Sequence, residues 1–278
     1  MTGAGATSVD AGAIERMLRA SLEWYAHTAQ RVRPGGPVRM LRTGGVVAMD
    51  NGRESHRSRV VGLGLEGPAD EAEFDAVDAF FAETGSAYNV EVAPCTDAGA
   101  AALLAARGLI EQPPITVLTR VLSPGPAAPT EWAGGRIRRA GVDDAPGVAR
   151  VFARGFGGHA EPNDEDLLAA AVAVATPSTA VFIALSGDEP VACGAVQAHG
   201  SLALIFAGGT VPEARRLGAH RALVAARLAW AAEMGCSTVV VQMAQGAPSA
   251  ANLRRAGFEP AYQRRPFKRA AREPGGGV

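Results

Sequence analysis

Lysine is almost missing from this chain. Lys268 is the only one, so nearly all positive charge is arginine, and the formal net charge over 278 residues is −1. A chain so balanced has no global basic field to draw it to nucleic acid, and 20% charged residues argue against disorder. The arginine bias, with abundant alanine and glycine, fits a GC-rich coding sequence better than a chemistry. Cysteine is also sparse: Cys95, Cys193 and Cys236 stand far apart, without a Cys-x-x-Cys or a Cys/His cluster. That spacing excludes a disulfide framework, offers no metal site and points to a reducing compartment. Each cysteine lies in or beside an apolar run and is read as a small buried hydrophobe. No apolar run approaches the roughly 18 residues of a membrane span, and Met1 to Asp10 lacks the basic-then-apolar pattern of a leader. The expectation is a soluble, cytoplasmic protein with neither nucleic acid nor membrane as partner.

What is present is enough apolar residue, 47%, to build a core in each of two domains. Ser123-Pro124-Gly125-Pro126-Ala127-Ala128-Pro129-Thr130 reads as a stiff linker. Beyond it, Arg136 to Arg139 suggests a strand, and helical periodicity runs through Val148, Val151 and Phe152 and again through Leu167 to Val172, stopping at Pro177. Val181–Leu185 and Val191–Val196 read as strands turning at Gly187-Asp188.

The densest stretch runs from Thr210 to Phe258. Gly209-Thr210-Val211-Pro212 closes the apolar run of Leu202, Leu204, Ile205 and Phe206. Arg215-Arg216-Leu217-Gly218-Ala219-His220 then opens a helix through Leu223, Val224, Leu228 and Trp230. Free N–H groups at a helix start, with arginine beside them and a glycine permitting close approach, form an anion cradle suited to a pyrophosphate. Cys236 to Val241 follows as a strand, and Asn252-Leu253-Arg254-Arg255-Ala256-Gly257-Phe258 as a helix ending in Gly-Phe.

This order resembles the GCN5-related N-acetyltransferase (GNAT) family, whose acyl-CoA motif, Arg/Gln-x-x-Gly-x-Gly/Ala, is matched here by Arg215-x-x-Gly218-x-His220. The resemblance covers roughly the last half of the chain. It implies an α/β, mixed-sheet (α+β) fold with acetyl-CoA as cosubstrate, held in a wedge between two splaying parallel strands. Gly209, Thr210, Val211, Arg215, Arg216, Leu217, Gly218, Ala219 and His220 would contact it, with Ser249 and Asn252 as further candidates whose alternative role is helix capping. A backbone N–H of Thr210 or Val211 would polarise the acetyl carbonyl. The acceptor would be a small-molecule or peptide amine attacking directly. Glu213, His199, His159 and Glu189 are base candidates by type alone. Two departures stand out: His220 replaces the family's usual Gly or Ala, and Leu253 stands where many members carry a tyrosine acid. Tyr262 is the nearby tyrosine that could substitute, against a packed strand residue as the alternative. A non-catalytic acyl-CoA binding or regulatory module is the rival reading.

The first half carries a fainter version of the pattern. Val60 to Leu65 ends at Pro68, a helix through Phe74, Val77, Phe80 and Phe81 leads to the strand Tyr88–Val92, and Arg107-Gly108-Leu109 echoes Arg255 to Phe258. The spans 68–108 and 212–257 are similar in length, which suggests duplication. The expectation is two tandem acetyltransferase-like domains, 1–123 and 136–272, joined by 124–135. In the first, Asp70, Glu71 and Glu73 stand where the cradle has arginines, so this half is expected to be structural. Gly62-x-Gly64-x-x-Gly67 also fits a dinucleotide fingerprint, but Pro68 and those carboxylates occupy the phosphate position. Trp24-Tyr25 belongs to an amphipathic stretch, Met17 to Ala29, read as a packed helix with a substrate or homodimer patch as the alternative. The basic run Arg264 to Arg269 is read as a solvated last strand.

Overall fold

The computed structural model describes residues 10–53, 55–123, 131–247 and 249–272. Most of the expected linker, 124–130, lies outside them. The first helix, α1 (Ala11–Val32), is capped by Asp10, whose carboxylate accepts from the Gly12 N–H. Met17, Leu18, Leu22, Ala26 and Ala29 form its buried face. The elements β1 (Arg39–Thr43), β2 (Val46–Asp50), β3 (Arg59–Val61), α2 (Glu71–Ala82), β4 (Tyr88–Val92), α3 (Gly99–Ala106), β5 (Ile110–Glu111) and β6 (Ile115–Val121) complete the first half. The second comprises β7 (Glu131–Trp132), β8 (Gly135–Arg139), α4 (Ala145–Phe152), α5 (Asp164–Ala175), β9 (Thr179–Ser186), β10 (Glu189–His199), β11 (Leu202–Thr210), α6 (Ala219–Glu233), β12 (Thr238–Ala244), α7 (Ala250–Arg255) and β13 (Glu259–Arg269).

Among the described residues the strands form one mixed sheet, ordered β1-β2-β3-β4-β13-β6-β12-β11-β10-β9-β8-β7, with β5 beside β13. One pattern occurs twice in it. Antiparallel β1-β2-β3 leads to β3 parallel with β4, and antiparallel β8-β9-β10-β11 leads to β11 parallel with β12. Parallel neighbours need a crossover, supplied by α2 in one half and α6 in the other. The halves also exchange their last strands. β6 pairs with β12 in the second half, while β13 pairs with β6 through Arg264 and then with β4 from Arg265 onward.

The exchange overturns the reading of Arg264 to Arg269 as a solvated strand. Arg264 is only 1% exposed because β13 crosses the junction between the halves there. Its guanidinium bonds the Glu15 carboxylate at 2.9 Å, Gln242 Oε1 at 2.7 Å and the Glu91 carboxylate. Two other expectations need correction. Cys95 is exposed, whereas Cys193 and Cys236 are buried. The strand expected at 60–65 stops at Val61, because Gly62 (φ +97) and Gly64 (φ +70) turn the chain and the Leu65 N–H bonds back to Gly62 O. A Cβ at Gly62 would lie 2.4 Å from Gly45 O, so this turn demands glycine.

The ground in front of β3, corresponding to the cradle of the second half, is filled by the protein itself. The Asp97 N–H donates to Gly64 O at 2.7 Å, and the Asp97 carboxylate accepts from the N–H groups of Ala69 and Gly99. The helix behind it starts with Asp70 as cap and with Glu71 and Asp75 held by Arg107. No helix among the described residues is long and apolar enough to cross a membrane.

Candidate active site

The wedge in the second half arises from strand register. β11 and β12 run in parallel register from Leu202 with Thr238 to Ile205 with Val241. Beyond that point β11 continues to Thr210 against β10 alone, while Gln242, Met243 and Ala244 of β12 continue against β6. The two strands part, aided by a register break opposite Cys193/Ala195 and by Ala207 at φ +50. Thr210 is paired with Ala192, and the Val211 N–H donates to Val191 O at 3.0 Å. Alternation along an antiparallel strand therefore turns the Thr210 N–H away from β10. Of the two backbone donors expected, Val211 is engaged in the sheet, whereas the Thr210 N–H is not given to β10; Thr210 lies beside Gly155, outside the lining of the cavity described below.

Past the strand, a single 3₁₀ turn at Pro212–Ala214 leads into a loop with Arg216 at φ +64 and Gly218 at φ +97, and α6 begins. No side chain caps this helix, so the N–H groups of its first turn, Ala219, His220 and Arg221, have no intrahelical acceptor. Arg215 folds back, donating to Thr210 O (3.2 Å) and Gly155 O (3.3 Å), and so holds the loop against the strand end. Leu217 and Arg216 are exposed, and nothing lies within 4 Å of where a Gly218 Cβ would stand. These donors fit a phosphate-bearing ligand. Nearby Glu213 is paired with Arg154; its own backbone N–H, and after it the Arg154 guanidinium, keep the carboxyl below its usual range.

A cavity of about 560 Å³ runs from the wedge to the junction of the halves. Phe206, Ala207, Gly208, His220, Arg227, Ser249 and Leu253 line its second-half end, and Tyr25, Asn51, Arg59 and Glu91 its first-half end. The strand glycines accommodate protein groups: a Cβ at Gly209 would lie 2.7 Å from the Phe156 ring, which stands on a π-helical turn, Ala153–Gly157, after α4. His220 is half-buried, its Nδ1 unpartnered, and desolvation pushes it down to about 4, so the ring is neutral. Ser249 makes no side-chain cap bond and faces the cavity. Asn252, the other candidate at α7, is exposed and accepts from Arg255, outside the lining.

Tyr262 also stands apart from the cavity. It is half-buried, its hydroxyl donates to Glu15 at 2.7 Å, and burial raises its pKa further from the range of a useful acid. None of the four base candidates lines the cavity either. Glu189 is 3.8 Å from Arg150. His159 bonds Asp166 at 2.8 Å, which raises its pKa. His199 stacks on Trp24 with centroids 4.4 Å apart, giving Trp24 a packing role. Cys193 is buried at the wedge and pushed up to about 12 by burial, which leaves it a poor nucleophile. Sequence reading missed Arg227, Asn51 and the Arg264 cluster. Arg227 had a legible signal, since it follows Leu223 at i+4 on the buried stripe of α6.

The neutral histidines set a pH dependence of stability. His199 and His220 are both lowered to about 4 by desolvation, against about 6.5 when unfolded. The unfolded chain takes up these protons first, so the contribution is complete above pH 6.5 and is lost as pH falls toward 4. Urea denaturation across that range should show this loss, and His199→Gln and His220→Gln should each flatten it. Unchanged slopes in both variants would refute the assignment.

Against known proteins, residues 148–258 match the model of the acetyltransferase (GNAT) family, a span that contains the wedge, the cradle and α7. No curated protein matches the sequence. A GCN5-related N-acetyltransferase from Kribbella flavida superposes with TM-score 0.64 at 18% identity, covering 98% of each chain. One from Sphaerobacter thermophilus gives 0.58 at 16%, covering 95% of this chain and 93% of that one. A tandem GNAT protein from the clavulanic acid biosynthesis pathway gives 0.60 at 17%, covering 95% and 96%. At such identities the likeness speaks of fold, while the family match speaks of the second half. The chain has the tandem GNAT fold, and its residues 148–258 match the model of the GNAT family.

Proposed function

We propose that the second half binds acetyl-CoA and transfers its acetyl group to a primary amine by direct attack, and that the first half has no acyl-CoA site. The observation that carries this reading is the parting of β11 and β12 beyond Ile205 and Val241, in a strand that ends with the Thr210 N–H unclaimed by β10 and leads into the uncapped start of α6. Acetyl-CoA, when bound, supplies the activated acyl group. The loop 215–220 would hold its phosphates, with Arg216 as a charged contact. The Thr210 N–H would polarise the carbonyl, and Ser249 would contact the bound chain along the cavity wall. Most of the rate then comes from positioning and carbonyl polarisation, with no covalent enzyme intermediate. The division at 1–123 and 136–272, and a cytoplasmic location, belong to the same reading.

The acceptor can be found by measuring thiol release over a panel of primary amines: amino acids, polyamines, aminoglycosides and peptide N-termini. Release that depends on the amine, with the acetylated amine seen by mass spectrometry, is the expected result. Binding of acetyl-CoA without amine-dependent release would favour the non-catalytic acyl-CoA module instead. Leu253 on the cavity wall, which offers no proton to a leaving thiolate, is the feature that supports that second reading.

A further inference from the structure

Arg227 stands where an apolar side chain is expected. It lies on the face of α6 turned to the sheet and is 3% exposed. Its Nε donates to Leu223 O at 3.0 Å and its Nη1 to Phe206 O at 3.4 Å, both neutral acceptors. Among the described residues no carboxylate lies within 4 Å of it to form an ion pair, although buried guanidinium groups ordinarily need one. The strands are shaped around it. A Cβ at Gly194 would lie 2.7 Å from its Cζ, and one at Gly208 3.5 Å from its Nη1. Glycines on two neighbouring strands thus make room for an uncompensated cation beside the register break of the wedge.

The titratable groups that face Arg227 do not supply the missing charge. Cys193 on β10 is held as a thiol by burial, and His220 on its own helix is neutral. The other charged groups of the cavity, Arg57, Arg59, Glu91 and Arg264, belong to the junction with the first half. Desolvation lowers Arg227 to about 10, which leaves it cationic at pH 7. Leu253, from α7, lines the same cavity and offers no proton.

We propose that Arg227 is a catalytic residue, a fixed buried cation that stabilises the sulfur anion released when the acetyl group leaves CoA. This rests on acetyl-CoA being the donor. In the transfer the acceptor nitrogen forms a C–N bond to the acetyl carbon, and the C–S bond breaks with its electron pair left on sulfur. The nitrogen gives up one proton to solvent, which balances the anion, and Arg227 stays protonated throughout. A guanidinium suits this role because it does not surrender a proton to the thiolate it stabilises.

The test is the thiol pKa of bound CoA, read from its thiolate absorbance and from the affinity of CoA relative to desulfo-CoA as pH is raised. In the native protein the bound thiol should titrate at least about one unit below the thiol of free CoA, so CoA gains about tenfold or more over desulfo-CoA once the pH is above both values. Arg227→Met should bind desulfo-CoA as the native chain does and return the thiol to its free value or above, and Arg227→Lys should keep part of the shift. A native thiol pKa at or above the free value overturns the proposal even if Arg227→Met does not fold. An unchanged shift in a folded Arg227→Met overturns it too. Failure of both nucleotides to bind the native chain would remove the donor reading itself, and the proposal with it.

Discussion

Thr210→Pro is expected to lower the rate of acetyl transfer by about 10²- to 10³-fold while acetyl-CoA still binds, because it deletes the backbone donor proposed to polarise the acetyl carbonyl. Proline removes the N–H, and that N–H carries no bond to β10, since the Val211 N–H next to it is the one given to Val191 O. The preceding residue is Gly209, which tolerates the restriction that proline imposes on its neighbour. Thr210→Ser retains the N–H and should stay close to the native rate. A near-native rate in Thr210→Pro would move carbonyl polarisation to another group.

The second large effect is on stability. Arg264→Leu should destabilise the fold by about 3–5 kcal/mol, because it leaves Glu15 and Glu91 buried at the junction without the guanidinium between them. Burial already pushes the Glu15 carboxyl up, against the pull of Arg264 downward. With Arg264 gone, the Glu15 carboxyl should have a folded pKa still further above its unfolded one. The variant should then be least impaired below about pH 4 and lose stability as pH rises through the carboxylate range. Adding Glu15→Gln and Glu91→Gln should recover part of the loss. Thermal melts that hardly change in Arg264→Leu would mean that the two halves do not depend on this cluster.

The parts of the site that could be read from sequence are those whose chemistry is contiguous. The run from Gly209 to His220 places a strand end, a turn and a helix start in succession, and local geometry does the rest. The strand exchange could not be read this way. β6 lies between β12 and β13, and no local periodicity records a partner more than a hundred residues away. Arg264 was hidden for a related reason. Its neighbours Gln263 and Arg265 are exposed, while Arg264 and Pro266 share the buried phase of the strand, so a basic run conceals one buried arginine. Tyr262 lay close to the Gly-Phe in sequence, but β13 carries it to Glu15 and away from the cavity. Arg227 was legible as a charge on an apolar helical stripe; what could not be read were the two glycines that receive it, since they lie on other strands.

The chain is expected to hold a single acyl-CoA site, in the second half and built on the loop 215–220. Calorimetric titration of the native chain with acetyl-CoA tests it most directly, alongside a variant carrying Arg215→Glu and Leu217→Glu. Those positions are exposed, whereas Gly218 at φ +97 would be strained by any side chain. The predicted result is one site per chain in the native protein and loss of binding in a folded variant. No binding by the native chain, two sites per chain, or undiminished binding by the variant would contradict it.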